Sequence, residues 1–577
     1  MKKKYLKILI NLLIIVFLSA STIYAAEITL KDPWYSKKEQ GEHGGTLVST
    51  LLGDPKTFNP IIAQETSSSS VTNGYIFESL VTRNGVTTEI EAELAKNWEI
   101  NKNGREYIFH LREGLQWSDG KELTAEDVIF TFDVISDPDI PTSTRDVMMI
   151  EDEFPEYTKI DKYTVRFTLP KAFAPFLNNM TTPILPAHKL KERWKEGKFA
   201  QSWGINTDPS EIVGTGPFKL AEYKNGERIV MLKNEHYWRK DPEGKSLPYL
   251  KRWIRIISEN QERDSLLFEN GTTHYLALRG IDYKRFSEMA QNSNFSVINA
   301  GPTFSTNFLV FNLNPDNPKL ENQPWKYQWF NDIHFRKAVA YAVDKNTMIN
   351  QILAGQGSKQ WSPISKANKL YYNDEINKYP YDLKKSREEL KKAGFYWDED
   401  GNLYDKNDRR VEFNMLTNAG NSTRESLMNI IASELRELGM KINASPIEFN
   451  KLVSKLNSEL DYDSILIGLT GGVEPHAGSN VWTSDGHLHM WNPQQESPAT
   501  DWEKRIDQLF KKGAVAQSVE ERKKYYAEFQ QIVSEKLPVI YTVVPSSLYA
   551  VRDNLKNTEI TAYGGVTWNI HELYLEE

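Results

Sequence analysis

The side chains best suited to chemistry in this 577-residue chain are three clustered histidines and a run of serines. His476, His487 and His489 could suggest a metal site, but an i, i+2 histidine pair without an HExxH motif is a weak signal. The chain has no cysteine, which excludes thiolate metal ligands, cysteine nucleophiles and disulfides. Ser68 and Ser69 lack the Gly-x-Ser-x-Gly turn of a serine hydrolase. We therefore predict no catalytic residue, no metal site, no cofactor and no enzymatic activity.

Two loops are better candidates, because they could bind a solute without changing it. Apolar segments at 411–416, 441–447 and 464–467 alternate with helical segments, which predicts parallel strands of one sheet. Ligands bind at the carboxyl ends of the strands in such sheets. The loops that leave those ends cover residues 417–421 and 469–476. Their glycines would let backbone groups approach a solute directly.

Two tryptophans lie just after the second loop. Trp482 and Trp491 flank a Gly-His-Leu-His-Met segment. Their aromatic faces would suit apolar side chains, sugar rings or a cationic group, and core packing is the alternative for both. We predict that they line the binding site.

Four motifs organise the rest of the chain. Residues 92–120 read AELAKNWEINKNGREYIFHLREGLQWSDG, and their central alternation predicts a half-buried strand. Val-Gly-Thr-Gly-Pro-Phe at 213–218 predicts a tight turn before a strand, and Asn-Glu-His-Tyr-Trp follows at 234–238. Residues 329–345 carry the spacing of a buried helix face. Together these motifs predict a mixed α/β protein.

The order and spacing of these motifs resemble family 5 of the bacterial extracellular solute-binding proteins, the dipeptide and oligopeptide receptors of ABC importers. The resemblance implies an α/β, bilobed periplasmic-binding-protein fold of the large three-subdomain type, with two crossover segments. It implies that lobe one covers 27–302 with an extra subdomain at about 74–211, that lobe two covers 303–545, and that 546–577 returns to lobe one. It further implies a monomer that closes around its solute by hinge motion and delivers it to an ABC permease and its ATPase.

The sequence departs from the peptide receptors in the loop at 469–476. Those receptors usually carry Ala-Asp-Tyr-x-[Asp/Glu]-Pro, whose aspartate pairs with the amino group of the peptide. Here Glu474 and the next proline match the acidic-Pro end, which puts Gly471 in the place of the aspartate. Either Glu474 or another carboxylate substitutes, or the solute has no free amine there. We predict a peptide or peptide-like solute, with an oligosaccharide or a metal chelate as the alternative. The predicted ligand-binding residues are Gln64, Thr66, Ser69, Asn418, Asn421, Gly471, Gly472, Glu474, Trp482 and Trp491.

The N-terminus and the charge bear on the location. Lysines at 2–4 and 7, an apolar stretch at 8–18 and alanines at 25–26 predict a cleaved signal peptide over residues 1–26, with an uncleaved anchor as the alternative. The net charge of −8 and the lack of a basic tract argue against a nucleic-acid partner. Without a cysteine to lipidate, we expect no lipoprotein. The predicted location is the periplasm of a bacterium with two membranes.

Overall fold

In a computed structural model, the residues described are 35–150, 152–516 and 518–577, so the predicted signal peptide lies outside them. The strands are β1 Gly44–Leu52, β2 Val81–Arg83, β3 Ile90–Ala92, β4 Ala95–Ile100, β5 Glu106–Leu111, β6 Glu156–Asp161, β7 Thr164–Thr168, β8 Phe218–Lys224, β9 Arg228–Lys233, β10 Leu250–Ser258, β11 Tyr275–Ala277, β12 Phe295–Pro302, β13 Thr306–Phe311, β14 Gly357–Lys359, β15 Tyr396–Trp397, β16 Leu403–Tyr404, β17 Glu412–Asn418, β18 Lys441–Ile447, β19 Ser464–Leu469, β20 Val539–Tyr541, β21 Val543–Arg552, β22 Leu555–Lys556 and β23 Tyr574–Leu575. The helices are α1 Thr66–Thr72, α2 Ala125–Ser136, α3 Ser143–Met148, α4 Phe176–Asn179, α5 Ala187–Lys195, α6 Gln261–Glu269, α7 Tyr283–Ala290, α8 Pro324–Asn331, α9 Ile333–Ala342, α10 Lys345–Thr347, α11 Leu383–Lys392, α12 Ser422–Glu437, α13 Phe449–Ser454, α14 Ser479–Trp482, α15 Asp501–Val515 and α16 Val519–Lys536.

The first half of the chain forms one lobe around two sheets. One sheet has the order β1-β10-β9-β8 and the other β4-β5-β7-β6. The alternating segment of the first motif forms β5, as predicted, because its inward residues pack in a continuous apolar core. Thr124 caps α2 in a capping box with Asp127.

The sequence motifs of this lobe contact one another. Gly216 N–H donates to the carbonyl of Ile76 at 2.9 Å, and a Cβ at Gly214 would overlap that same oxygen. The two glycines of the Gly-Thr-Gly-Pro turn therefore allow a close backbone approach. In the first motif, the Arg112 Nε donates to the carbonyl oxygen of Glu93 at 2.7 Å. These motif residues stabilise the lobe and lie outside the cavities described below.

The second lobe is built on the sheet β18-β17-β19-β13-β20. The prediction of parallel pairing is confirmed for β17 with both β18 and β19, whereas β13 runs antiparallel to β19 and β20. Between β17 and β18, α12 packs Leu427, Ile431 and Leu435 into a second apolar core. Gly439 then has a φ of +88°, the left-handed conformation that ends many helices.

Two segments connect the lobes. One leads from β12 into β13, and the other is β21, which pairs with β14 at its start and with β11 and β12 further along. A small third core around Phe268, Phe286 and Phe295 packs against Leu548 of β21. The bilobed α/β fold follows from this layout, while the numerical lobe boundaries stay predictions. Within the described residues, no helix has the length and apolar character needed to cross a membrane.

Candidate functional site

A cavity of about 370 Å³ lies between the two lobes. Its lobe-one side is the segment that leads into α1, and its lobe-two side includes α13, the end of β19 and the loop that follows β19. A neighbouring cavity of about 300 Å³ shares lining residues with it, among them Thr66, Thr306 and Phe449. The two cavities therefore form one cleft at the carboxyl end of β19, where the sequence placed the binding loop.

The structure brings most of the predicted binding residues to this cleft. Those that line the larger cavity are Gln64, Thr66, Ser69, Gly471, Gly472, Glu474 and Trp482. Trp482 is only 7% exposed and packs edge-on against Phe529, with ring centroids 4.9 Å apart. It is therefore part of the wall and of the core at once.

Three predicted residues lie outside the lining. Trp491 is 1% exposed and donates its indole N–H to Glu503 Oε1 at 3.0 Å, so the core-packing alternative describes it better. Asn421 caps α12 by accepting the backbone N–H of Arg424 at 2.9 Å. Asn418 accepts from Arg424 Nη1 at 2.6 Å, so it positions a cleft residue and does not itself face the cavity.

Glu474 is already paired with a cation. Its carboxylate makes a two-point ion pair with the Arg522 guanidinium, in which Nη1 donates to Oε2 at 3.0 Å and Nη2 donates to Oε1. Glu474 Oε1 also accepts the backbone N–H of His476 at 3.0 Å. Because both oxygens are used, Glu474 does not substitute for the missing aspartate as a free anion.

The two glycines of the loop differ sharply in the space around them. A Cβ at Gly471 would overlap the carbonyl oxygen of Phe304 and lie 2.8 Å from its carbonyl carbon. A Cβ at Gly472 would meet no atom of the described residues within 4 Å. The position that aligns with the aspartate therefore has no room for any side chain on this backbone, whereas its neighbour opens toward the cavity.

Arg424 is the cation of the smaller cavity, and the sequence reasoning missed it. Its Nε donates to Asn307 Oδ1 at 3.2 Å and its Nη1 to Asn418, and it forms no ion pair with any described carboxylate. Burial lowers its pKa to about 10, which leaves it protonated at neutral pH. A Cβ at Gly468 would lie 2.7 Å from Arg424 Nη2, so this glycine of β19 makes room for the guanidinium.

The lobe-two wall of the larger cavity is apolar. Phe449, Val453 and Leu456 line it with Ile467 and Met490. The first three have i, i+4, i+7 spacing on the segment that includes α13, and this spacing was the signal that could have placed them on one face. A wall of this kind suits apolar groups of a solute.

The lobes contact each other around the cleft. Asn457 Nδ2 donates to Gln64 Oε1 at 3.3 Å, directly across the cavity. Further out, His487 Nδ1 lies 2.7 Å from Asp146 Oδ1, and Ala174 N–H donates to the carbonyl of Ala514 at 2.8 Å. The described arrangement is therefore one in which the lobes meet over the cavity.

The clustered histidines do not converge. His476 is buried against Phe173 with ring centroids 5.0 Å apart, and burial lowers its pKa to about 3. His487 pairs with Asp146, and His489 lies 3.1 Å from the Val481 carbonyl. Each ring therefore has a separate structural environment.

A family model and several known proteins match most of this chain. Residues 89–488 match the family model described as bacterial extracellular solute-binding proteins, family 5, middle. The chain belongs to this family. A probable ABC transporter-binding protein of Deinococcus radiodurans is 31% identical over 566 residues, which cover 93% of each chain.

Solved structures of family 5 proteins share the fold. The oligopeptide-binding protein AppA of Bacillus subtilis, in complex with a nonapeptide, has a TM-score of 0.79 and 24% identity, over 93% of this chain and 100% of AppA. The binding protein MelB of Agrobacterium fabrum, in complex with stachyose, has a TM-score of 0.80 and 20% identity, over 93% of this chain and 85% of MelB. The sequence prediction of a bilobed solute-binding protein is thereby confirmed.

Proposed function

We propose that this protein is the solute-binding component of an ABC importer in the periplasm, and that its solute is a peptide or peptide-like molecule with a free carboxylate. It would act as a monomer, close over the solute and deliver it unchanged to a permease and its ATPase. The observation that carries the ligand class is Arg424, a partly buried guanidinium that lines the cleft and pairs with no described carboxylate.

A cation held away from water without an anion is costly, and a carboxylate of the solute would remove that cost. Arg424 is fixed by Asn307 and Asn418, which accept from Nε and Nη1 but bring no charge. A guanidinium held in this way can donate to both oxygens of a carboxylate. A neutral oligosaccharide offers only hydroxyls and would leave the cation uncompensated.

The rest of the cleft supports the same class. The apolar face of Phe449, Val453 and Leu456 would accept peptide side chains. Gly471 and Gly472 expose backbone that can hydrogen-bond a peptide main chain. AppA, which was solved with a nonapeptide, has a similar fold over nearly the whole chain.

An oligosaccharide is the second candidate because Trp482 lines the cavity and an aromatic face can stack on a sugar ring. The fold of MelB, solved with stachyose, is equally similar. The two candidate solutes differ in charge, so the effect of replacing Arg424 on binding distinguishes them.

Calorimetric titration tests the proposal. The ligands are peptides of two to nine residues with a free or an amidated C-terminus, and stachyose. We expect the free carboxylate to be preferred about tenfold or more, and the Arg424→Gln variant to lose that preference, because a charged hydrogen-bond pair contributes about 1.5–3 kcal/mol. Arg505→Gln is the matched control, since Arg505 pairs with Glu528 on the surface. Binding of stachyose without binding of any peptide would refute the proposed ligand class.

A further inference from the structure

The cleft needs an anion if its solute carries a free amine, because an unpaired ammonium is costly to remove from water. Among the described residues that line the larger cavity, the carboxylates are Glu65 and Glu474. Both oxygens of Glu474 are engaged by Arg522. The aspartate position of the peptide receptors is Gly471, where a side chain would overlap Phe304. This leaves Glu65.

Glu65 has the environment of a prepared but uncompensated anion. It is 8% exposed, yet it forms no ion pair with any described cation. Its Oε1 accepts from the Ser68 hydroxyl, while no hydrogen bond to Oε2 exists among the described residues. A carboxylate that is nine-tenths buried, lines the cavity and has one oxygen without a described partner could form an ion pair with a cation of the solute.

The surrounding contacts fix this carboxylate in place. The Ser68 hydroxyl donates to Glu65 and accepts the backbone N–H groups of Lys56 and Thr57, at 3.0 and 3.2 Å. Ser68 itself is fully buried. The network therefore orients Glu65 without neutralising it, as a site that binds a cation requires.

Glu65 lies where the two lobes meet. Its neighbour Gln64 accepts from Asn457 of the second lobe at 3.3 Å. Its other neighbour, Thr66, lines both cavities, so Glu65 of the larger cavity and Arg424 of the smaller one belong to adjoining parts of one cleft. A solute with an amine and a carboxylate could meet one charge in each part of the cleft.

We propose that Glu65 of lobe one binds a free amino group of the solute, in place of the aspartate that other family members carry in lobe two. The inference rests on the proposed function, since it needs a solute with an amine. It assigns the amine to the opposite lobe, so that the ion pair would form between a peptide held by lobe two and a carboxylate of lobe one.

The test compares peptides of two to nine residues with a free amine against the same peptides with an acetylated amine. Wild-type protein should prefer the free amine. In Glu65→Gln the affinity for the free-amine peptides should fall about tenfold or more, as expected for a charged pair, while affinity for the acetylated peptides stays within about twofold. Glu196→Gln, an exposed lobe-one glutamate paired with Lys198, should behave like wild type.

A second variant separates charge from packing. Glu65→Asp keeps the anion and should retain part of the preference, and thermal melting of each ligand-free variant reports whether the fold is intact. An equal loss for free and acetylated peptides, or an unchanged preference in Glu65→Gln, would overturn the assignment of the amine to Glu65. If wild-type protein binds no peptide, the proposed function fails and this inference fails with it.

Discussion

Gly471 and Gly472 should differ in how much stability the protein loses when a side chain is added. A Cβ at Gly471 would overlap the Phe304 carbonyl oxygen, which is main chain and cannot rotate away. The loop or the crossover segment must therefore move, and forced overpacking of this kind costs about 1–3 kcal/mol. At Gly472 no atom in the described part of the chain lies within 4 Å of the added Cβ, so the cost should stay within about 0.5 kcal/mol.

Urea titrations of the ligand-free Gly471→Ala and Gly472→Ala variants measure this difference. We expect a lower unfolding midpoint for Gly471→Ala and a midpoint close to wild type for Gly472→Ala. Neither glycine has a φ in the left-handed region, so backbone strain does not enter the comparison. Equal midpoints for the two variants would refute the steric account of why this loop lacks the family's aspartate.

Three further changes should have defined effects. Trp482→Ala should weaken solute binding and also lower the free energy of unfolding by about 3–5 kcal/mol, because the ring packs on Phe529 inside the core. Calorimetry measures the first effect and urea titration the second. An unchanged stability would contradict this packing. The hydrogen bond that the His487 ring donates to Asp146 raises the pKa of His487, so protonation of His487 should favour closure. The gain is full below the ordinary pKa of about 6.5 and is lost as the pH rises through the raised value. This half-exposed pair should contribute at most about 1 kcal/mol. Asp146→Asn should flatten the dependence of affinity on pH between about 5.5 and 8.5, and an unchanged pH dependence would contradict this role of the pair. Solute at a hundredfold excess over its Kd should stabilise the protein by about 2.7 kcal/mol and reduce its radius of gyration; an unchanged radius in small-angle scattering would contradict hinge closure.

Much of the fold could be predicted from local patterns. The alternation within residues 92–120 predicted β5, and a helical segment was predicted where α12 lies, because both patterns depend on near neighbours in sequence. In the second lobe, the relative direction of two strands was predictable only where a helix connects them along the chain. The antiparallel pairing of β13 with β19 joins segments more than 150 residues apart, and no local signal encodes it.

The position of the loop after β19 was predicted more reliably than the contacts of its residues. The rule that ligands meet the carboxyl ends of strands led to the loop after β19, and seven of the ten predicted residues line the cavity. The sequence could not show that Arg522 forms an ion pair with Glu474, because 48 residues separate them. It also could not distinguish Trp482, which reaches the cavity, from Trp491, which is enclosed by other core residues.

The residues that now carry the ligand argument were not visible as motifs. Arg424 lies in the first turn of α12, where the sequence alone suggests an arginine that faces solvent. Its burial depends on the space that Gly468 of β19 leaves for the guanidinium. Glu65 lies between two predicted residues, but its lack of a partner cation among the described residues depends on the whole surrounding fold.

We propose that the cleft binds a peptide and releases it unchanged. Native mass spectrometry of the purified protein, incubated with an equimolar mixture of two- to nine-residue peptides and stachyose, tests it most directly. We predict one-to-one adducts at peptide masses, and recovery of the same intact peptides after denaturation. Adducts only at the mass of stachyose, or peptides recovered as fragments, would refute the proposed function.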